Sequence, residues 1–323
     1  MIKRSLLIGM IGLASSSTAL AAPFYFEFSG GDVVANGGDL SNNGSTQTVD
    51  YNALGASNTL ATSIYDAETA GDIQAGTQVF DTNRADVLGA YNFGGDISTP
   101  EDNQRNVGEL NPQQGINQSN NFSGGPVDWE EGNGFWGLTF DYDFLGTIIS
   151  GDGNDLNNAV VSFTEGTVDY FFEYEGNSLQ VLSVDVTGSS GTIANLILEG
   201  LVNFDFLNDD DFTASERAFV ENFFRDTATE ESFYSLVTGG NSIGIPINWR
   251  LDTNVDEDVS LVSGTDGDGN TVLARQTELN NTARFEPQAV PEPSALMLLG
   301  LGLVGLGVVT YRRRSSDESN QAA

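Results

Sequence analysis

The chain has 323 residues, with 46 acidic against 12 basic side chains and a formal net charge of −34. It contains no cysteine and no histidine. These absences exclude disulfide frameworks, thiol nucleophiles, Ser-His-Asp triads and His-ligated zinc. Carboxylates, hydroxyls, tyrosines and a few arginines remain, a set with which carboxylate-pair glycosidases are still compatible.

At the N-terminus, Lys3 and Arg4 precede an apolar stretch from Leu6 to Leu13, followed by Ala19-Leu20-Ala21. Residues 1–21 read as a secretory signal peptide with an A-x-A site, cut by signal peptidase after Ala21 to start the mature chain at Ala22. Between this leader and the C-terminal segment stand seven arginines, no lysine and 43 acidic residues. Such a field repels nucleic acid and anionic membrane surfaces, so no nucleic-acid partner is expected, and it attracts divalent cations.

The stretch 22–127 is rich in Gly, Asn, Asp, Ser and Thr. Phe24, Phe26 and Phe28 alternate with other residues as a first strand would. Thr77–Phe80 and Val87–Phe93 read as edge strands, and Glu101–Gly125, nearly devoid of apolar residues, as an exposed loop.

Stronger patterns lie in 128–288. Trp136, Leu138, Phe140, Tyr142 and Phe144 alternate with Gly137, Thr139, Asp141 and Asp143, a period of two that predicts a half-buried strand. Val168, Tyr170, Phe172 and Tyr174 repeat it. Gly176-Asn177 supplies a tight turn into Leu179–Val186, and Gly188–Gly191 the next turn. Leu196, Leu198, Gly200, Val202, Phe204 and Phe206 alternate again, which completes an antiparallel meander. Thr213-Ala214-Ser215-Glu216 is a capping box, with Phe219, Val220, Phe223 and Phe224 at helical spacing behind it. A second short helix is predicted from Thr229 to Gly239, giving a helical hairpin near 213–238. Ile243–Leu251, Val259–Val262 and Thr271–Phe285 supply further strands. The fold class expected is mainly β, an antiparallel β-sandwich with jelly-roll-like character and a short helical insertion.

The C-terminus is the most specific part. Val290, Pro291, Glu292 and Pro293 are followed by an apolar run to Thr310, then Tyr311 and the cluster Arg312, Arg313 and Arg314. The span 295–311 is about 25 Å long as a helix, near the lower limit for crossing a bilayer. The arginines hold its end in the cytoplasm, which leaves residues 315–323 as a cytoplasmic tail and the body outside. This order of short polar motif, single span and basic stop, over 289–314, resembles the PEP-CTERM sorting signal of Gram-negative bacterial proteins. The resemblance implies a membrane-embedded protease of the exosortase type as partner. It also implies an inner-membrane-anchored intermediate, and delivery to the cell surface or extracellular matrix. The ectodomain itself resembles no family.

Two constellations are candidates for chemistry. Asp266, Asp268 and Asn270 have the one-three-five oxygen spacing of a calcium loop, yet their composition is also that of a hairpin turn. No cofactor is required, and calcium is the one ion these loops suit. Asp141 and Asp143, behind Asp128-Trp129-Glu130-Glu131, lie about 7 Å apart on one strand face, within reach of a glycosidase pair. Trp129, Trp136, Tyr142 and Trp249 are the aromatics that would stack on sugar. The expectation is therefore an exported acidic surface or matrix protein, structural or adhesive, associated with exopolysaccharide or biofilm and not an enzyme. The alternative is a secreted polysaccharide hydrolase that uses a carboxylate pair.

Overall fold

The computed structural model describes residues 22–38, 46–48, 50–95, 97, 109–114, 136–175, 177–239, 244–255 and 260–287. Residues 1–21, read above as a signal peptide, the segment 289–314 with its apolar span, residues 315–323 and Asp128 to Glu131 lie outside these. No helix among the described residues is long and apolar enough to cross a membrane.

The strands in chain order are β1 (Phe24–Phe26), β2 (Tyr51–Tyr65), β3 (Gln78–Thr82), β4 (Glu109–Gln114), β5 (Trp136–Ser150), β6 (Val160–Tyr174), β7 (Asn177–Thr192), β8 (Asn195–Asn203), β9 (Phe224–Asp226), β10 (Ile247–Val255), β11 (Val262–Thr265) and β12 (Thr271–Pro287). The helices are α1 (Ala85–Leu88), α2 (Ala214–Phe223) and α3 (Phe233–Thr238). All of these strands belong to one antiparallel sheet, so the mainly β, antiparallel expectation holds.

The sheet also closes. Following the ladder from β12 through β10, β8, β7, β6, β5, β3 and β2 leads back to β12, because β2 pairs with β12 from Leu273↔Tyr65 to Ala283↔Leu54. The two halves of this ring face each other across one core, as sandwich layers would. Within the ring, closure gives each strand two neighbours and so removes the open edges that invite aggregation, while β1, β4, β9 and β11 branch off it. β3, from the Gly/Asn-rich part, pairs directly with β5 from the strongly patterned part.

The period-two residues do what alternation predicts. Trp136, Leu138, Phe140, Tyr142 and Phe144 on β5, Val168, Tyr170 and Phe172 on β6, and Leu196, Leu198 and Val202 on β8 all point into the ring and are buried. Gly200 sits among them for a reason of space. A Cβ there would meet Val184 at 2.6 Å and the indole of Trp249 at 3.2 Å, so the glycine makes room for the buried tryptophan opposite it on β10.

One end of the ring is plugged by aromatic rings. Phe219 and Phe223 of α2 reach Phe172 at centroid distances of 5.0 and 5.2 Å, and Phe223 stacks on Phe26 at 5.0 Å. Phe24 meets Phe285 edge-on at 5.3 Å, and Phe233 of α3 lies against Phe224 at 5.5 Å. Pairs of this kind contribute about 0.5–1.5 kcal/mol each beyond area burial. A second, smaller cluster lies on the outer face, where Leu88, Phe93 and Ile97 cover Ile64, Val272 and Ala274.

Several local expectations shift. Residues 109–114, within the expected loop, form β4 and pair with β2, because ladder pairing needs backbone and not apolar side chains. Val87–Phe93 is no strand: Ala85–Leu88 is a helical turn. Gly188–Gly191 lies within β7, where the ladder shifts register at Val186/Gly188 and Gly191 takes φ +102°, and the chain reverses at Ile193-Ala194. The first helix starts as expected, with Thr213 and Glu216 bonded reciprocally. The second begins at Ser232, not Thr229, since Asp226 ties the Thr229 amide and hydroxyl into a turn at 2.8 Å each; it ends at Gly239 in the left-handed conformation.

Candidate functional site

The carboxylates Asp141 and Asp143 lie on the outer face of β5, each half-buried. Asp141 is paired across the ladder with Asp169 on β6. Arg84 reaches Asp143 at 3.4 Å and Asp86 at 3.1 Å. Asp169 accepts hydrogen bonds from Ser183 at 2.6 Å and Gln180 at 2.8 Å, and burial raises its carboxyl above the ordinary value. This is a guanidinium-neutralised carboxylate row on an outward strand face.

The aromatics expected on sugar are placed elsewhere. Trp136, Tyr142 and Trp249 are all at most 4 % exposed. Trp249 donates its indole N–H to the Tyr170 hydroxyl at 3.0 Å, and Tyr142 donates to Asp81 at 2.8 Å. Their alternation with polar neighbours reflects the core, and no sugar reaches them from outside. Trp129 lies outside the described residues.

Asp266, Asp268 and Asn270 form the exposed β11–β12 hairpin loop. Asp266 Oδ1 accepts from the backbone N–H of Asp268 at 2.9 Å and of Asn270 at 2.8 Å, and Oδ2 accepts from Asn270 Nδ2 at 2.8 Å. Gly269 has φ +85°, which the turn requires. These bonds hold the Asp266 carboxyl below its ordinary value and are those of a hairpin turn.

The half of the ring away from the aromatic plug contains a cavity of ≈ 40 Å³. Its apolar wall includes Val161, Phe163, Leu198 and Leu251, and Ile193 at the β7–β8 turn borders it. Its polar wall runs across the seam where the ring closes. Arg275 on β12 is opposite Ser63 on β2, Ser63 is opposite Asp81 on β3, and Asp81 is opposite Phe144 on β5. Ser63 and Tyr142 each donate to one oxygen of Asp81. Thr253 and Thr277 complete this side.

Arg275 is 2 % exposed, and its Nε and both terminal nitrogens have no hydrogen-bond partner among the described residues. The Tyr65 hydroxyl beside it is fully buried, near both Arg275 and Ser63 but without a well-formed hydrogen bond to either. Burial pushes Tyr65 up to about 12 despite the nearby guanidinium charge. Burial likewise raises the Asp81 carboxyl above its ordinary value, against the pull of its two hydroxyl donors and of Arg275. The exposed part of Asp81 faces the cavity. Tyr142 is raised well above the ordinary phenol range by burial, and further by the Asp81 charge.

Sequence reasoning passed over Arg275, Asp81, Ser63 and Tyr65. The available signal was a lone arginine between Leu273-Ala274 and Thr277 in a strand whose two faces are both buried.

Comparison with known proteins bears on the C-terminus alone. A family model described as the PEP-CTERM protein-sorting motif matches residues 289–314. No curated protein and no solved structure matches the chain. The match falls on Val290, Pro291, Glu292, Pro293 and the arginines 312–314, and it begins two positions after β12 ends at Pro287. The chain thus carries a PEP-CTERM protein-sorting motif, and that motif implies an exported protein processed by an exosortase, a membrane protease.

Proposed function

We propose that the chain is a structural or adhesive component of the cell surface or extracellular polysaccharide matrix, displayed as a rigid acidic barrel and delivered through its C-terminal motif. The observation that carries this reading is the adjacency of barrel and motif. The strand that closes the ring ends at Pro287, and the matched segment begins at residue 289. The folded body is therefore joined to the processed segment with almost no linker, an arrangement suited to display. The acidic ectodomain, with its outward rows of Asp, Thr and Ser, gives the displayed face a polar, hydrogen-bonding character that suits hydrated glycans.

The hydrolase alternative retains one observation in its favour. Asp169, whose carboxyl burial raises above its ordinary value, stands directly across from Asp141, so two carboxyl groups are adjacent. Against it, Asp143 is engaged by Arg84, and the row lies on an outward strand face rather than in a cleft.

Intact-mass and terminal-peptide analysis of the protein recovered separately from membranes and matrix tests the reading. A matrix form starting near Ala22 and ending near Pro291 is expected. Recovery only as a membrane form that retains Arg312–Arg314 would oppose it. Glycan cleavage that disappears in Asp141→Asn or Asp169→Asn with the fold intact would favour the hydrolase.

A further inference from the structure

The cavity inside the ring, independent of the surface role above, presents donors without acceptors. A guanidinium carries five N–H donors in a planar fork, and leaving a buried charge unpaired is strongly unfavourable. Arg275 is 2 % exposed, and none of its three nitrogens makes a well-formed hydrogen bond among the described residues, the Tyr65 oxygen being a loose contact. Tyr65 adds a buried hydroxyl on the same wall, near Arg275 and Ser63 but without a well-formed hydrogen bond to either. Asp81 does not fill this role. Its two oxygens already take the hydroxyls of Ser63 and Tyr142, and it acts on Arg275 only through its charge at a distance. A structural counter-ion would be in contact, because only good geometry repays the desolvation of a buried pair.

The rest of the cavity defines what the missing acceptor is attached to. The lining also includes Val161, Phe163, Leu198 and Leu251, which give the cavity an apolar wall. Ligand sites have this form, mostly apolar with a few convergent polar groups. An eight-stranded ring is also the size that is either filled by side chains or holds one small ligand. The volume of ≈ 40 Å³ excludes a fatty acid or a sugar ring. It equals the room of about three water molecules at 10–15 Å³ each, which suits a carboxylate with a very short tail.

We propose that the barrel interior is a binding site for a small aliphatic monocarboxylate of two or three carbons, the shortest acids that carry an alkyl end. Its oxygens are received by the Arg275 guanidinium and the Tyr65 hydroxyl, and its alkyl end lies on Leu198 and Leu251. A carboxylate matches the guanidinium fork in a bidentate manner, and such charge-assisted bonds are the strong ones. Binding displaces the few waters that otherwise meet these donors.

The experiment uses the full chain in detergent micelles, titrated with acetate, propionate and butyrate by calorimetry. The ¹³C-carboxyl resonance of labelled propionate is followed in parallel, and sodium nitrate serves as the anion without an apolar body. Saturable binding at millimolar concentration, tighter for acetate or propionate than for nitrate and weaker for butyrate, which exceeds the cavity, is the expected result. Arg275→Met should weaken it at least tenfold. Since loss of Arg275 affects the core, Ala61→Leu provides a second variant. It fills the cavity from the 2 %-exposed Ala61 without touching the guanidinium, and should weaken binding by a similar factor while the near-UV spectrum stays native. No saturable binding of acetate or propionate overturns the proposal. So does nitrate binding as tightly as propionate, or binding that survives Ala61→Leu unchanged.

Discussion

Arg275 and Ser63 face each other across the β12–β2 seam, yet Ser63 turns its hydroxyl to Asp81 and leaves the guanidinium unbonded. The seam that closes the ring is thus also the place where its interior charge is concentrated. Ser63→Ala removes one of the two donors that hold the buried Asp81. A loss of about 1–2 kcal/mol is expected, the penalty of a buried acceptor left under-satisfied. Urea unfolding followed by tryptophan fluorescence measures it, and no change would place Asp81 in contact with water.

Asp81 should also leave a signature in the pH dependence of stability. Its carboxyl is raised above the ordinary 3.8 by burial, so the unfolded chain releases this proton at lower pH than the folded one. The stability the group contributes is fully present below the ordinary carboxylate range and falls as pH rises through the raised folded value. Asp81→Asn has no such proton. The wild-type stability minus that of the variant should therefore decrease as pH is stepped upward from 4, and a difference independent of pH would contradict the assignment.

Trp249 is 1 % exposed and bonded at 3.0 Å to Tyr170, above the space left by Gly200. Trp249→Phe leaves a cavity and an unpaired Tyr170 hydroxyl. The expected cost is about 2–4 kcal/mol. A double-mutant cycle with Tyr170→Phe should show a coupling of about 1 kcal/mol, the share of the hydrogen bond.

Thr213 and Glu216 cap α2 with reciprocal bonds of 3.2 and 2.8 Å. Thr213→Ala should lower stability by about 1 kcal/mol, read as a shift in thermal midpoint. The aromatic plug should survive, because Phe219 and Phe223 anchor the helix from within.

Millimolar calcium should leave the melting temperature of the full chain unchanged, since the bonds of Asp266 to Asp268 and Asn270 are those of a hairpin turn. A rise in melting temperature that Asp266→Asn abolishes would make the hairpin loop a cation site.

What the sequence made legible was local. The alternation along β5, β6 and β8 shows because one face of each is apolar, and the α2 cap shows because its four residues are contiguous. Closure of the ring leaves no such trace. Residues near 60 on β2 pair with residues near 278 on β12, and nothing within a short window records that partnership. Asp81, Ser63 and Arg275 escaped for a related reason: a period-two reading assigns polar residues to the outside, and only the ladder register shows that these three face inward. Trp249 was misplaced by the opposite assumption, that a large aromatic in an exported protein meets a ligand. The hydrogen bond to Tyr170 gives it a structural task.

The position of β12 in the chain has a consequence for biogenesis. A polypeptide that crosses the membrane from its N-terminus delivers β2 early and β12 last, so the ring stays open, with unpaired strands on both sides of the gap, until translocation is nearly over. Pro287 is only eight residues from the start of the apolar span at Ala295, a reach of at most about 29 Å. The final pairing therefore forms within that distance of the bilayer, while the chain is still held in it. Substitutions that weaken the β2–β12 ladder should then show first as lost secretion yield, from half-built barrels adhering to one another at the membrane, before they show in the stability of the finished protein.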